Sequence, residues 1–125
     1  MAFIDNLKKS FWWLPIGQVP EISCTDLQAS LDADPPPQII DVRSATEWRL
    51  SHIPGSVNIS VKQLKKEMSA LNLDAQRPIV AICLSAHRSI PAVRLLHANG
   101  FPNAVQLQSG MLAWWKQELP TSSVE

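Results

Sequence analysis

Cys83 closes an apolar run over residues 78–83 and is followed by Leu84-Ser85-Ala86-His87-Arg88-Ser89, after which the pattern turns helical. Four chemistries are open to a thiol in that place: buried filler at a strand end, disulfide partner, metal ligand or nucleophile. Cys24 and Cys83 are the two cysteines of 125 residues, too few for a disulfide framework. No CxxC pair occurs, and His52, His87 and His97 show no paired-ligand spacing, so neither a metal site nor another cofactor is expected. Filler and nucleophile remain. A tight strand-to-helix turn points several backbone N–H groups into one concavity, and the helix start adds unsatisfied donors and partial positive charge. Such surroundings favour a thiolate. Arg88 adds a fixed cation whose fork suits an oxyanion, and Pro91 fits the first turn of a helix. The pattern favours the nucleophile.

The elements that must position this loop are marked by punctuation and period. The triple proline in residues 32–38, DADPPPQ, separates one element before it from another after it. Ser23-x-x-Asp26 is a helix start, with Leu27 and Leu31 giving one apolar face. Residues 38–42 are a short buried strand. Ser44 and Glu47 fit a capping box that opens a helix through Leu50. Pro54-Gly55 makes a turn before a strand at 57–59. Ser60 caps a helix carrying Leu64, Met68 and Leu71, with Lys62, Lys65, Lys66 and Glu67 on its solvated face. The unbroken apolar run before Cys83 is a strand covered on both faces. Residues 89–99 form a helix ending at Gly100, residues 103–108 a last strand, and residues 110–120 a last helix stopped by Pro120. Strands alternating with helices from residue 38 onward predict an α/β domain with a largely parallel sheet. Such sheets keep their sites at the carboxyl ends of the strands, where Cys83 and residues 41–43 fall.

Composition narrows the function classes. Apolar residues at 46% and charged residues at 18% suit one globular domain with one core. The formal net charge of zero leaves no electrostatic footprint for nucleic acid. The longest uncharged N-terminal run, residues 10–20, is far below the roughly 20 residues that span a bilayer. Asp5 comes early and no A-x-A-like site appears after it, so the mature chain is expected to start at Met1 and to be cytoplasmic.

Three separated blocks carry a family resemblance. DVRSATEWRLSHIPGSVNI, residues 41–59, resembles the first signature of the single-domain rhodaneses, DVR-x-x-x-E-(W/Y)-x-x-G-H-I-P-G-A-x-N-I. CLSAHRS, residues 83–89, resembles their active loop C-x-x-G-x-R-S, and LQSGMLAWW, residues 107–115, their closing L-x-G-G-x-x-A-W. The resemblance implies a rhodanese domain over residues 21–120, an N-terminal extension over 1–20 and a short tail over 121–125. It implies a three-layer α/β fold, a central, mostly parallel five-stranded sheet with helices on both faces. The departures are Ser51 and Ser109 at positions where the family has glycine, Ala86 where glycine is common, and His87 after it. Ala86 raises the question whether the backbone there needs a positive φ.

The resemblance also implies a reaction. The Cys83 thiolate attacks the outer sulfur of a small donor such as thiosulfate or a persulfide, sulfite or a thiol leaves, and a persulfide remains on Cys83. A thiol acceptor, small or on a protein, or cyanide then removes that sulfur. The loop N–H groups from Leu84 to Ser89 would hold the terminal sulfur. Arg88 would anchor the donor's oxyanion or clamp the loop. His87 either tunes local charge or is simply exposed. Arg43 either faces the site as a second cation or joins Asp41 and Glu47 in a network shaping the sheet edge. His52 is expected to bond within its turn. Trp48, Trp114 and Trp115 read as core or half-core aromatics, one of them a candidate rim of the entrance. Cys24 reads as bystander packing, with a resolving thiol as the alternative.

Loop length separates this chain from dual-specificity phosphatases and arsenate reductases, which share the fold but use Cys-x5-Arg. Here four residues stand between Cys83 and Arg88, a narrower nest that suits sulfur better than a tetrahedral phosphate. Two functions remain: a sulfurtransferase acting on a free donor, and a persulfide carrier or interaction module loaded and unloaded by partners. Phe3, Ile4, Leu7, Phe11 and Trp12 predict an amphipathic helix over residues 3–13. It would pack back on its own domain, form a dimer contact, or lie on a membrane surface beside Lys8 and Lys9.

Overall fold

The computed structural model describes residues 17–125; the helix expected over residues 3–13 lies outside the described residues. The element order is β1 (Glu21–Ile22), α1 (Cys24–Ser30), β2 (Gln38–Asp41), α2 (Ala45–Leu50), β3 (Val57–Asn58), α3 (Val61–Glu67), a 3₁₀ turn (Met68–Leu71), β4 (Ile79–Ile82), α4 (Ser89–Ala98), β5 (Ala104–Leu107) and α5 (Gly110–Lys116). The strands form one sheet in the order β1-β5-β4-β2-β3, and each neighbouring pair runs parallel. All carboxyl ends therefore share one edge. β1 has no signal in the sequence: two residues carry no period, and only pairing with β5 defines them as a strand.

Side chains alternate across a strand with a period of two, and β4 shows the consequence. Ile79, Ala81 and Cys83 join one apolar cluster with Leu64 of α3 and Val93 and Leu96 of α4. Val80 and Ile82 join the other with Leu27 of α1 and Met111 and Trp114 of α5. Helices thus cover both faces, and β4, buried along its whole length, is the centre of the molecule. Trp114 is wholly buried, and its indole Nε1 donates to the Pro120 carbonyl at 2.8 Å, so its one polar atom is satisfied.

The caps show how local sequence sets the helix bounds. The Ser23 hydroxyl accepts from the Asp26 amide, starting α1 as expected. Ser44 and Glu47 form the full capping box at α2. Ser60 stands at the start of α3 but makes no side-chain cap, because its hydroxyl donates to Gln63 Oε1 instead. The last helix ends at Lys116, ahead of the expected Pro120. Glu118 turns left-handed, with φ 53°, and the amides of Glu118 and Leu119 return to the carbonyls of Trp115 and Trp114. That is a Schellman closure with glutamate at the position usually held by glycine, which the proline signal did not reveal.

Candidate active site

Cys83 directly succeeds β4, on the face covered by α3 and α4. Its side chain was expected at the rim of the loop; the structure buries it completely. The alternation along β4 points it inward, and the first turn of α4 lies over it. Its Sγ is 3.5 Å from the hydroxyl of Ser89, the first residue of α4. Among the described residues, none of the amides of Leu84, Ser85, Ala86, His87, Arg88 and Ser89 donates to another protein group. Their donors thus have no partner among the described residues.

Two other parts of the chain hold this loop. At its start, the Cys83 and Leu84 carbonyls accept from the amides of Met111 (2.9 Å) and Leu112 (3.0 Å) in the first turn of α5. The closing block therefore uses its orphan helix donors on the loop backbone. Gly110, at φ 60°, must be glycine here, since a Cβ would land on the Cys83 and Leu84 carbonyl oxygens. At the loop's end, Arg88 forms a two-point fork with Glu47, Nη1 to Oε1 and Nη2 to Oε2, each 2.8 Å. Arg88 beside it, and the capping contacts of Ser44, hold the Glu47 carboxyl down to about 2 against the cost of partial burial, and Glu47 in turn raises Arg88. Glu47 serves α2 as a cap and the loop as a clamp.

Between these anchors lies Ala86, at φ 65°, so the position does require a positive φ. Ser109, also at a glycine position of the family pattern, has φ 60°. Each costs on the order of 1 kcal/mol relative to glycine. Ser51 differs: its φ of −165° is ordinary extended backbone, its carbonyl accepts from Arg43 and its hydroxyl from Trp115 Nε1. His87 is exposed and bonded to Ser85, with Nδ1 2.9 Å from the hydroxyl.

Of the two readings of Arg43, a second cation facing the substrate site or a member of a network at the sheet edge, the first is corrected: the side chain is buried on Asp41. It is 1% exposed. Its Nε and Nη2 are taken by Asp41, its Nη2 also by the Ser51 carbonyl, and its guanidinium lies 5.8 Å from the Trp115 ring centroid. Asp41 pairs with Arg43, whereas Glu47 pairs with Arg88 of the loop. His52 stacks on Trp48 at 4.0 Å and its Nδ1 meets the Trp48 carbonyl at 2.6 Å. Cys24 lies in the cluster on the opposite face of the sheet from Cys83, where burial pushes its thiol up. The sheet stands between the two sulfurs, which removes the resolving role in this fold.

Two groups carried no motif in the sequence. Gln106 of β5 accepts from the Ser89 hydroxyl at 2.6 Å and donates to Glu21 of β1 at 2.9 Å. A buried glutamine in a strand was the available signal. A cleft of about 470 Å³ opens on this side of the loop, bordered by Val19, Glu21, Ala86, His87, Ile90 and Gln106.

A parallel sheet carrying a cysteine loop at the carboxyl end of its central strand defines a class of small α/β cysteine domains. The family model of the rhodanese-like domain matches residues 23–117, and the chain belongs to that family. It is 32% identical over 103 residues to YtwF of Bacillus subtilis, named as a sulfurtransferase, covering 82% of this chain and 97% of that one. It is 34% identical over 96 residues to YrkF of the same organism, named as a sulfur carrier protein, covering 77% of this chain and 51% of YrkF. The chain thus spans about half the length of YrkF, and 25% of MoeZ of Mycobacterium tuberculosis, named as an adenylyltransferase/sulfurtransferase. A rhodanese-related protein of Thermoplasma volcanium superposes with TM-score 0.74 at 26% identity, covering 83% of this chain and 98% of that one.

Proposed function

We propose that this chain is a sulfurtransferase that carries sulfane sulfur as a persulfide on Cys83. The carrying observation is a loop that begins at Cys83, at the end of the central parallel strand, and whose amides from Leu84 to Ser89 make no hydrogen bond among the described residues. In the first step the Cys83 thiolate attacks the outer sulfur of the donor. The new S–S bond forms as the old one breaks, and the leaving group, sulfite or a thiolate, departs with the bonding pair. In the second step an acceptor thiolate attacks the outer sulfur on Cys83 and the Cys83 thiolate leaves. On this reading the loop amides would hold the anionic outer sulfur, and donors fixed in place beforehand contribute most.

The pairing of the arginines favours a second reading of the same chemistry, as a persulfide carrier with little free-donor turnover. Thiosulfate is a dianion, yet Arg88 is forked to Glu47 and Arg43 is buried on Asp41. A donor of lower charge, a persulfide of a small thiol or of a protein, makes less demand on free cations. Mass spectrometry of the intact protein after thiosulfate, and separately after a polysulfide, tests both. One added sulfur on Cys83 that Cys83→Ser abolishes supports the chemistry, and loading by polysulfide in preference to thiosulfate supports the carrier. No adduct from either donor overturns both.

A further inference from the structure

We propose that Glu21 and Gln106 are positioning residues that fix the polarity of the Ser89 hydroxyl, so that it offers Cys83 a lone pair and not a proton. The chain of contacts is continuous: Cys83 Sγ to Ser89 Oγ at 3.5 Å, Ser89 Oγ to Gln106 Oε1 at 2.6 Å, Gln106 Nε2 to Glu21 Oε2 at 2.9 Å. Glu21 and Gln106 are parallel-strand neighbours in register, which places them side by side. Ser89 is wholly buried and Gln106 is 4% exposed, so water does not compete for the bond between them.

The direction of each bond is set by what each group can give. An ionised carboxylate only accepts, so the end of the Gln106 amide facing Glu21 must be its NH₂. The amide is planar and rigid, so its other end, the carbonyl oxygen, faces Ser89. That oxygen cannot donate, and the hydroxyl has one proton, which therefore goes to Gln106. Only lone pairs remain for Cys83. The thiol can donate its S–H to Ser89, whereas an ionised sulfur there meets a repelling lone pair. On the proposed sulfur-transfer reading, this turns the outer sulfur of the persulfide away from Ser89 and toward the loop amides. Glu21 borders the cleft beside the loop, so a ligand that engaged its carboxylate from that cleft would release the relay.

Glu21→Gln breaks the logic at its exposed end, because an amide at residue 21 can present either group and lets Gln106 turn over. Ser89 can then donate to the ionised sulfur. The readout is the pH profile of Cys83 alkylation by iodoacetamide, followed on its peptide by mass spectrometry. Arg88, Asp41, Arg43 and Glu47 are common to all variants, and of these Arg88 is the one that interacts electrostatically with Cys83. In Glu21→Gln the profile should shift to lower pH, giving about three- to tenfold faster alkylation below its midpoint, a hydrogen-bond effect on a charged group at the weak end because the acceptor is sulfur. The same substitution in a Ser89→Ala background should shift nothing, and Gln106→Met serves as a second way to cut the chain if Ser89→Ala does not fold. An unmoved profile in Glu21→Gln, or an equal shift with the chain already cut, overturns the relay and leaves at most a through-space charge effect. Iodoacetamide needs no sulfur donor, so the result is independent of whether thiosulfate or polysulfide loads Cys83.

Discussion

Replacing Glu47 by glutamine separates two roles of one side chain. Glutamine keeps the capping box with Ser44, since it can still accept at that position. It removes the charge that Arg88 grips through two 2.8 Å contacts. The carboxyl is held near 2 from an ordinary 4.5, which in a dry site would correspond to about 3.4 kcal/mol at 1.36 kcal/mol for each pH unit. The side chains of Arg88 and Glu47 are 39% and 33% exposed, so solvent screening reduces this to about 1 kcal/mol, or a melting shift of about 3–5 °C at this chain length. The sign with pH is set by the lowered value. The pair's contribution is complete above the unfolded carboxyl's range near 4.5 and is lost as pH falls from there to about 2. Urea unfolding of wild type, Glu47→Gln, Arg88→Met and the double variant at pH 7 should give a coupling of about 1 kcal/mol that shrinks toward nothing at the acid end of that window. On the proposed reading as a sulfurtransferase acting on a free donor, the same substitution frees the Arg88 fork, so the KM for thiosulfate should fall by about threefold or more even as stability drops. A Glu47→Gln protein as stable as wild type, with no coupling to Arg88 and an unchanged or higher KM, would refute the idea that this pair both ties the loop and occupies its cation.

Ala86→Gly relieves a left-handed alanine, and thermal unfolding should show a gain of up to about 1 kcal/mol, with a loss of stability as the contrary result. Gly110→Ala drives a methyl onto the Cys83 and Leu84 carbonyl oxygens at φ 60°, and denaturant unfolding should show a loss of at least about 2 kcal/mol, above the usual range for surface positions. An aryl phosphate should give no turnover above buffer in a colorimetric assay, because four residues between Cys83 and Arg88 close a smaller nest than phosphate needs and the arginine is already paired; appreciable hydrolysis by pure protein would contradict both points.

Much of the frame was legible in advance because its signals are local. Ser23 and Ser44 cap by contacts three residues away, β4 is an unbroken apolar run, and Gly100 ends α4 with a positive φ. The partners of the site were not legible, because each is set by a contact between blocks far apart in sequence. Asp41, Arg43 and Glu47 sit within seven residues and looked like one network. The alternation of β2 turns Asp41 inward beside Arg43, while the start of α2 carries Glu47 outward to Arg88. Gln106 and Glu21 are 85 positions apart and meet only because β1 pairs with β5. Ala86 posed a question that only a dihedral could answer.

The three sequence blocks become one device at the loop. The first block supplies Glu47, which fixes Arg88 at the loop's end. The last supplies Gly110 and the amides of Met111 and Leu112, which fix the carbonyls of Cys83 and Leu84 at its start. Held at both ends, the segment between must turn sharply, and the strain falls on Ala86. The carbonyls of Cys83 and Leu84 are taken by α5, and the loop's N–H groups have no carbonyl partner among the described residues, an arrangement open to an anionic sulfur. On the proposed reading anchoring and chemistry have the same origin: the loop that these contacts hold is the one whose amides have no partner among the described residues. A variant that loosens either anchor should lose donor preorganisation before it loses the thiol.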